Sequence, residues 1–187
     1  MKTLRIITVV LLLFVVGSPA ASAGYGPMKG LVPIKGTVVG ADTFTPGPGE
    51  VTGCVYDSVP DGWLTYRFTT KGTGNVSHLG KVDFVLDNCS MLNPQFTEGV
   101  IAYGTVTFIA ANGDVLVIKH EGTSVATSPT DYKAQYTWEV VGEKGKGRFL
   151  GATGEGTSTG LTSLPDEASE ITLRGMIAFD ASNRSDR

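Results

Sequence analysis

Histidine and cysteine are scarce in this chain, with two of each. A protein zinc site draws three or four ligands from His, Cys and acidic side chains at regular spacing. His120 and Glu121 are adjacent on a predicted strand, so their side chains point to opposite faces and cannot ligate together. His78 lies in a segment bounded by glycines at a strand entrance, where a hydrogen bond to backbone that holds the turn is the favoured role. No metal is expected, and Cys54 and Cys89 are spaced far too widely for a CxxC redox pair. The serines lack a GxSxG elbow. The glycine clusters near residues 72 and 145 are followed by neither Lys-Ser/Thr nor a helix, so they are not phosphate loops. Residues 42–61 lack the spacing of a calcium loop. No cofactor and no catalytic residue is named by these patterns. Positive charge is also thin: 15 Lys and Arg stand against 18 Asp and Glu, for a net charge of −3. Without a cationic stripe there is nowhere to seat phosphates, which argues against nucleic acid or anionic lipid as a partner.

Long hydrophobic runs are missing as well. The longest, Ile6–Val16, holds eleven residues, about 16 Å of helix against a bilayer core of about 30 Å. Its setting is that of a secretory signal. Lys2 and Arg5 precede it, Gly17, Ser18 and Pro19 break the helix, and Ala21-Ser22-Ala23 offers the small residues of a cleavage site. Residues 1–23 are therefore expected to be a signal peptide, and residues 24–187 a single domain, exported to a periplasm or out of the cell without a membrane anchor. In an exported chain the two cysteines are expected to pair, Cys54 with Cys89.

Beyond the leader no stretch reads as a convincing helix; each candidate is broken by Gly or Pro or has period two. Strands are predicted over Leu31–Val39, Val51–Tyr56 (short), Trp63–Lys71, Gly80–Asp87, Gly99–Ala110, Asp114–Glu121, Lys133–Val141, a kinked stretch in Arg148–Leu161, and Glu170–Phe179. Asp42–Gly49, with two prolines and two glycines, reads as loop, as does Ser90–Thr97. Ala111-Asn112-Gly113 carries the Asn-Gly pair of a tight hairpin. About eight strands joined by short turns make an all-β, antiparallel domain, a sandwich or a barrel. Strand-interior Gly104 and Gly175 favour a closed barrel, because curvature wants residues without side chains.

Three stretches in order carry a family resemblance. They are Gly72-Thr73-Gly74 running on to Ser77-His78-Leu79-Gly80-Lys81, then Ala110-Ala111-Asn112-Gly113-Asp114, then Gly145-Lys146-Gly147-Arg148-Phe149-Leu150-Gly151-Ala152-Thr153-Gly154 with Gly156 and Gly160 beyond. Over residues 63–179 the chain resembles secreted bacterial proteins with allene oxide cyclase-like (dirigent-like) barrels. Its last stretch is similar to the glycine-rich strand pair of plant allene oxide cyclases and dirigent proteins. The resemblance implies an eight-stranded antiparallel, calycin-like barrel with a cavity. It implies no activity, since the polar cluster and glutamate of the plant cyclases have no assigned counterparts here. Glu143-Lys144 stands where the family has a glycine-rich turn.

The aromatic positions supply the candidate site. Tyr66 and Phe68 share one strand face, Tyr136 and Trp138 another, and Leu116, Ile118 and His120 a third. If these faces point inward, Tyr66, Phe68, His120, Tyr136 and Trp138 either line an apolar pocket with a few polar handles or fill the barrel. The leading expectation is a barrel that binds a small hydrophobic ligand; the alternatives are an isomerase or cyclase, which would need an inward acid such as Glu139, and a structural homo-oligomer.

Overall fold

The computed structural model describes residues 30–180. Eight strands close into one antiparallel barrel in sequence order. They are β1 (Val32–Pro46), β2 (Leu64–Val76), β3 (Gly80–Leu92), β4 (Glu98–Ala110), β5 (Val115–Ala126), β6 (Asp131–Val140), β7 (Thr153–Ser163) and β8 (Ala168–Ala178). β1 pairs with β8 from Val32↔Ile177 to Ala41↔Ala168, which closes the sheet and removes its edges. The expected signal peptide, residues 1–23, lies outside the described residues. No helix among the described residues is long and apolar enough to cross a membrane.

Period-two patterning decides which side chains enter. On β6, Ala134, Tyr136 and Trp138 are buried while Lys133, Gln135 and Thr137 are exposed. Three differences from the sequence reading bear on the site. Residues 42–46 are strand, not loop: β1 pairs with β2 through Asp42↔Thr70, Phe44↔Phe68 and Pro46↔Tyr66. Proline is tolerated there because Pro46 is the last strand residue and has no ladder partner on the β8 side. β3 likewise runs past Asp87 to Leu92. The short strand expected near Val51 is instead one helical turn, α1 (Gly49–Thr52).

The residues between β1 and β2 lie against the outside of the barrel and are stapled to it. Cys54 and Cys89 form a disulfide with Cα atoms 5.6 Å apart. The Tyr103 hydroxyl accepts the Val55 N–H at 2.8 Å, and the Tyr56 hydroxyl lies 2.9 Å from the Ser90 carbonyl. This cover explains why Cys89 and Met91, at outward positions on β3, are buried.

The turns 77–79 and 111–114 and the segment 141–152 gather at one end of the barrel, which is packed solid. Phe149, Phe179, Phe84, Phe108, Leu116 and Ile177 fill it. Arg148 locks the plug: its Nε donates to Asp114 Oδ2 at 2.7 Å, its Nη2 donates to the His78 carbonyl at 2.7 Å, and its guanidinium lies 5.6 Å from the centre of the Phe149 ring. His78, at φ 69°, closes the β2–β3 turn with Nε2 3.0 Å from the Pro33 carbonyl.

Candidate functional site

The opposite end, where β1 meets the 47–63 excursion and the loops 93–97, 127–130 and 164–167 turn back, is open. It leads into a cavity of about 550 Å³. That is within the range of small-molecule sites. The wall is mostly apolar, and Phe44, Phe96 and Leu164 stand at its rim with 44%, 51% and 46% of their surface exposed.

All five predicted site residues point inward, but they divide between two levels. Tyr66, Phe68 and Tyr136 line the cavity. His120 and Trp138 lie below it and do not. Trp138 belongs to the packed core at 3% exposure. Its indole fits because β7 and β8 place glycines against it: a Cβ on Gly156 would lie 2.3 Å from Trp138 Cζ2, and one on Gly175 2.6 Å. Beneath the cavity floor the residual void is about 10 Å³, at the limit for one water. The choice posed by the sequence, filled or hollow, is thus resolved by height along the barrel axis.

The floor is a polar layer. The Nε2–H of His120 donates to Asn88 Oδ1, and the His120 ring packs edge-on to Tyr136 with centroids 5.0 Å apart. Gly104 makes this possible, since a Cβ there would lie 2.2 Å from Asn88 Oδ1 and 2.5 Å from His120 Nε2. Burial holds the His120 pKa down to about 4, so the ring is neutral at ordinary pH. Burial pushes the Tyr66 phenol up to about 12, against a hydrogen bond with Ser90. The Tyr136 phenol is raised in the same direction, by burial and by Tyr66, with a hydrogen bond to Asn88 opposing. Neither phenol is a ready acid or base near neutrality.

The side wall holds a carboxylate in a stretch whose composition reads as loop. Asp42 accepts hydrogen bonds from the hydroxyls of Thr70 and Ser169, each at 2.7 Å, and Ser169 lies 2.8 Å from the Thr162 hydroxyl. Burial raises the Asp42 pKa, and the two hydroxyls oppose that shift. Glu139, the acid suggested by the sequence, points outward and pairs with Lys119. The correction comes from strand parity: Trp138 is inward, so Glu139 cannot be. The alternation of Asp42 and Phe44 with Thr43 and Thr45 is the available signal for an inward Asp42. Pro46, Gly47, Pro48 and Gly49 outweigh it.

Among the described residues no three His, Cys, Asp or Glu side chains converge as a metal site would require. No family model, curated protein or solved structure matches the chain. The fold and the site therefore stand on the chain's own geometry: an eight-stranded antiparallel barrel, plugged at one end and hollow at the other.

Proposed function

We propose that this protein binds a small, largely apolar molecule in the open end of its barrel. The observation that carries the reading is the division of the interior: a cavity of about 550 Å³ stands above a floor that leaves only about 10 Å³ of void. A barrel shaped only for stability would bury this aromatic wall against itself, because each Å² of apolar surface left wet forgoes about 25 cal/mol. A few polar groups in an apolar wall are how ligand sites obtain orientation as well as affinity. The test is saturable fluorescence enhancement of N-phenylnaphthylamine. Ala134, buried in the wall, becomes Phe in a variant that narrows the cavity. Wild type should bind the probe, and Ala134→Phe, shown by circular dichroism to be folded, should bind it at least tenfold more weakly. Equal binding by the two would remove the cavity as the site.

A second reading is favoured by one observation. Asp42 places a carboxylate with a raised pKa inside an apolar cavity, the kind of group an isomerase or cyclase needs. Turnover of a hydrophobic substrate abolished by Asp42→Asn would separate catalysis from binding. The allene oxide cyclase-like family fits the barrel, and the assignment to it rests on the three glycine-rich stretches. Export, with cleavage after Ala23, is part of the same reading. The disulfide and the lack of a spanning helix among the described residues fit an extracellular or periplasmic protein.

A further inference from the structure

The cavity wall carries side-chain charge of one sign, which would make it selective among apolar ligands if, as proposed above, the cavity is a binding site. The lining includes two carboxylates, Asp42 and Glu167, and no Lys, Arg or His. Asp42 lies one inward position below the rim residue Phe44 on β1, and the partners of its carboxylate are the neutral hydroxyls of Thr70 and Ser169. Arg67, Lys119 and Arg148 pair with Asp87, Glu139 and Asp114, and among the described residues no cation forms an ion pair with either lining carboxylate. The cations on the lining strands face away: Lys35, Lys71, Lys81, Lys119 and Lys133 are exposed at outward positions, and Arg67 is held outside by Asp87 and the Thr52 carbonyl.

Aromatic rings complete the wall: Phe44, Tyr66, Phe68, Phe96, Tyr132 and Tyr136. Their faces carry the negative lobe of the ring quadrupole and attract cations. A ring that turns its face to the ligand acts in the same direction as the carboxylates. A ligand anion would meet two like charges in a site partly withdrawn from water, with no basic side chain to receive it. We propose that the open end of the barrel takes an organic cation, an amine or quaternary ammonium joined to an apolar body, and selects against fatty-acid-like anions.

The experiment compares three probes that share a chain and differ in the head: decyltrimethylammonium, decanol and decanoate. Each is titrated below its micelle concentration as a competitor of N-phenylnaphthylamine. The cation should bind about tenfold more tightly than the alcohol, the scale of one partly desolvated ion pair or cation–π contact, and the carboxylate should bind more weakly than the alcohol. Asp42→Asn should lower the cation-to-alcohol affinity ratio at least fivefold. Glu167→Gln, at an exposed rim position where folding is not at stake, should lower it by a smaller factor. Decanoate binding as tightly as decyltrimethylammonium, or a ratio unmoved in both variants, overturns the selectivity while the binding reading survives. Failure of the fluorescent probe and all three competitors to bind overturns both.

Discussion

Acid should destabilise this fold through His120 as pH falls from 6.5 towards 4. Its imidazole is 6% exposed, donates to Asn88 and has its pKa held near 4 by burial, against an ordinary value of 6.5. The folded state therefore binds a proton less readily than the unfolded chain. Above pH 6.5 both states carry a neutral ring and the residue makes no pH-dependent contribution. As pH falls from 6.5 towards 4 the unfolded chain protonates first and is stabilised, so stability is lost across that window. At 1.36 kcal/mol per pKa unit the full loss is about 3 kcal/mol, a large share of the 5–15 kcal/mol or so of a typical domain. Urea unfolding at pH 7, 6, 5 and 4.5 measures it. His120→Gln keeps an N–H able to reach Asn88 but cannot titrate, so subtracting its profile removes the carboxylate contributions. The difference should widen steadily below pH 6.5. A flat difference, or an NMR titration placing the His120 pKa near 6.5, would refute the buried neutral ring and with it the polar floor.

Asp42 should show the opposite sign. Its raised pKa disfavours the folded state once the carboxylate ionises, so Asp42→Asn should raise Tm at pH 7, with the gain vanishing as pH falls below about 4, where the unfolded carboxyl is itself protonated. Replacing Cys54 and Cys89 by Ser opens a loop of sequence separation 35 and should cost about 4 kcal/mol in the chain-entropy account, read as a lower urea midpoint. Gly104→Ala should cost about 1–3 kcal/mol by forcing its Cβ into the Asn88–His120 contact. Arg148→Ala should cost about 3 kcal/mol, because it leaves Asp114, with 9% of its side chain exposed, with the Asn112 amide but without its cationic partner at the plugged end.

The barrel is legible because period two survives in the sequence at β2, β4, β5, β6 and β8, and because Asn112-Gly113 announces one hairpin. Gly104 and Gly175 read as marks of curvature; their fuller role is to clear space for Asn88 with His120 and for Trp138. The cavity is legible only in its strongest wall residues, Tyr66, Phe68 and Tyr136. Asp42 and Ser90 are hidden because turn-like composition outweighs alternation at the ends of β1 and β3. Local propensity cannot show that long-range pairing, Asp42 with Thr70 and Ser90 with Ile101, carries those strands onward. Nor can it show at what height the filling stops, which depends on how the small inner residues of β7 face the large ones of β6.

An amide-resolved NMR titration of the folded protein with N-phenylnaphthylamine locates binding directly. The account predicts saturable shifts at the open end, centred on Asp42, Phe68, Ser124, Tyr132 and Thr162, with Phe149, Leu116 and Ile177 at the plugged end unmoved. Shifts centred on the plugged end or on the outer faces of β5, β6 and β7, or none at a concentration where fluorescence shows binding, would contradict it.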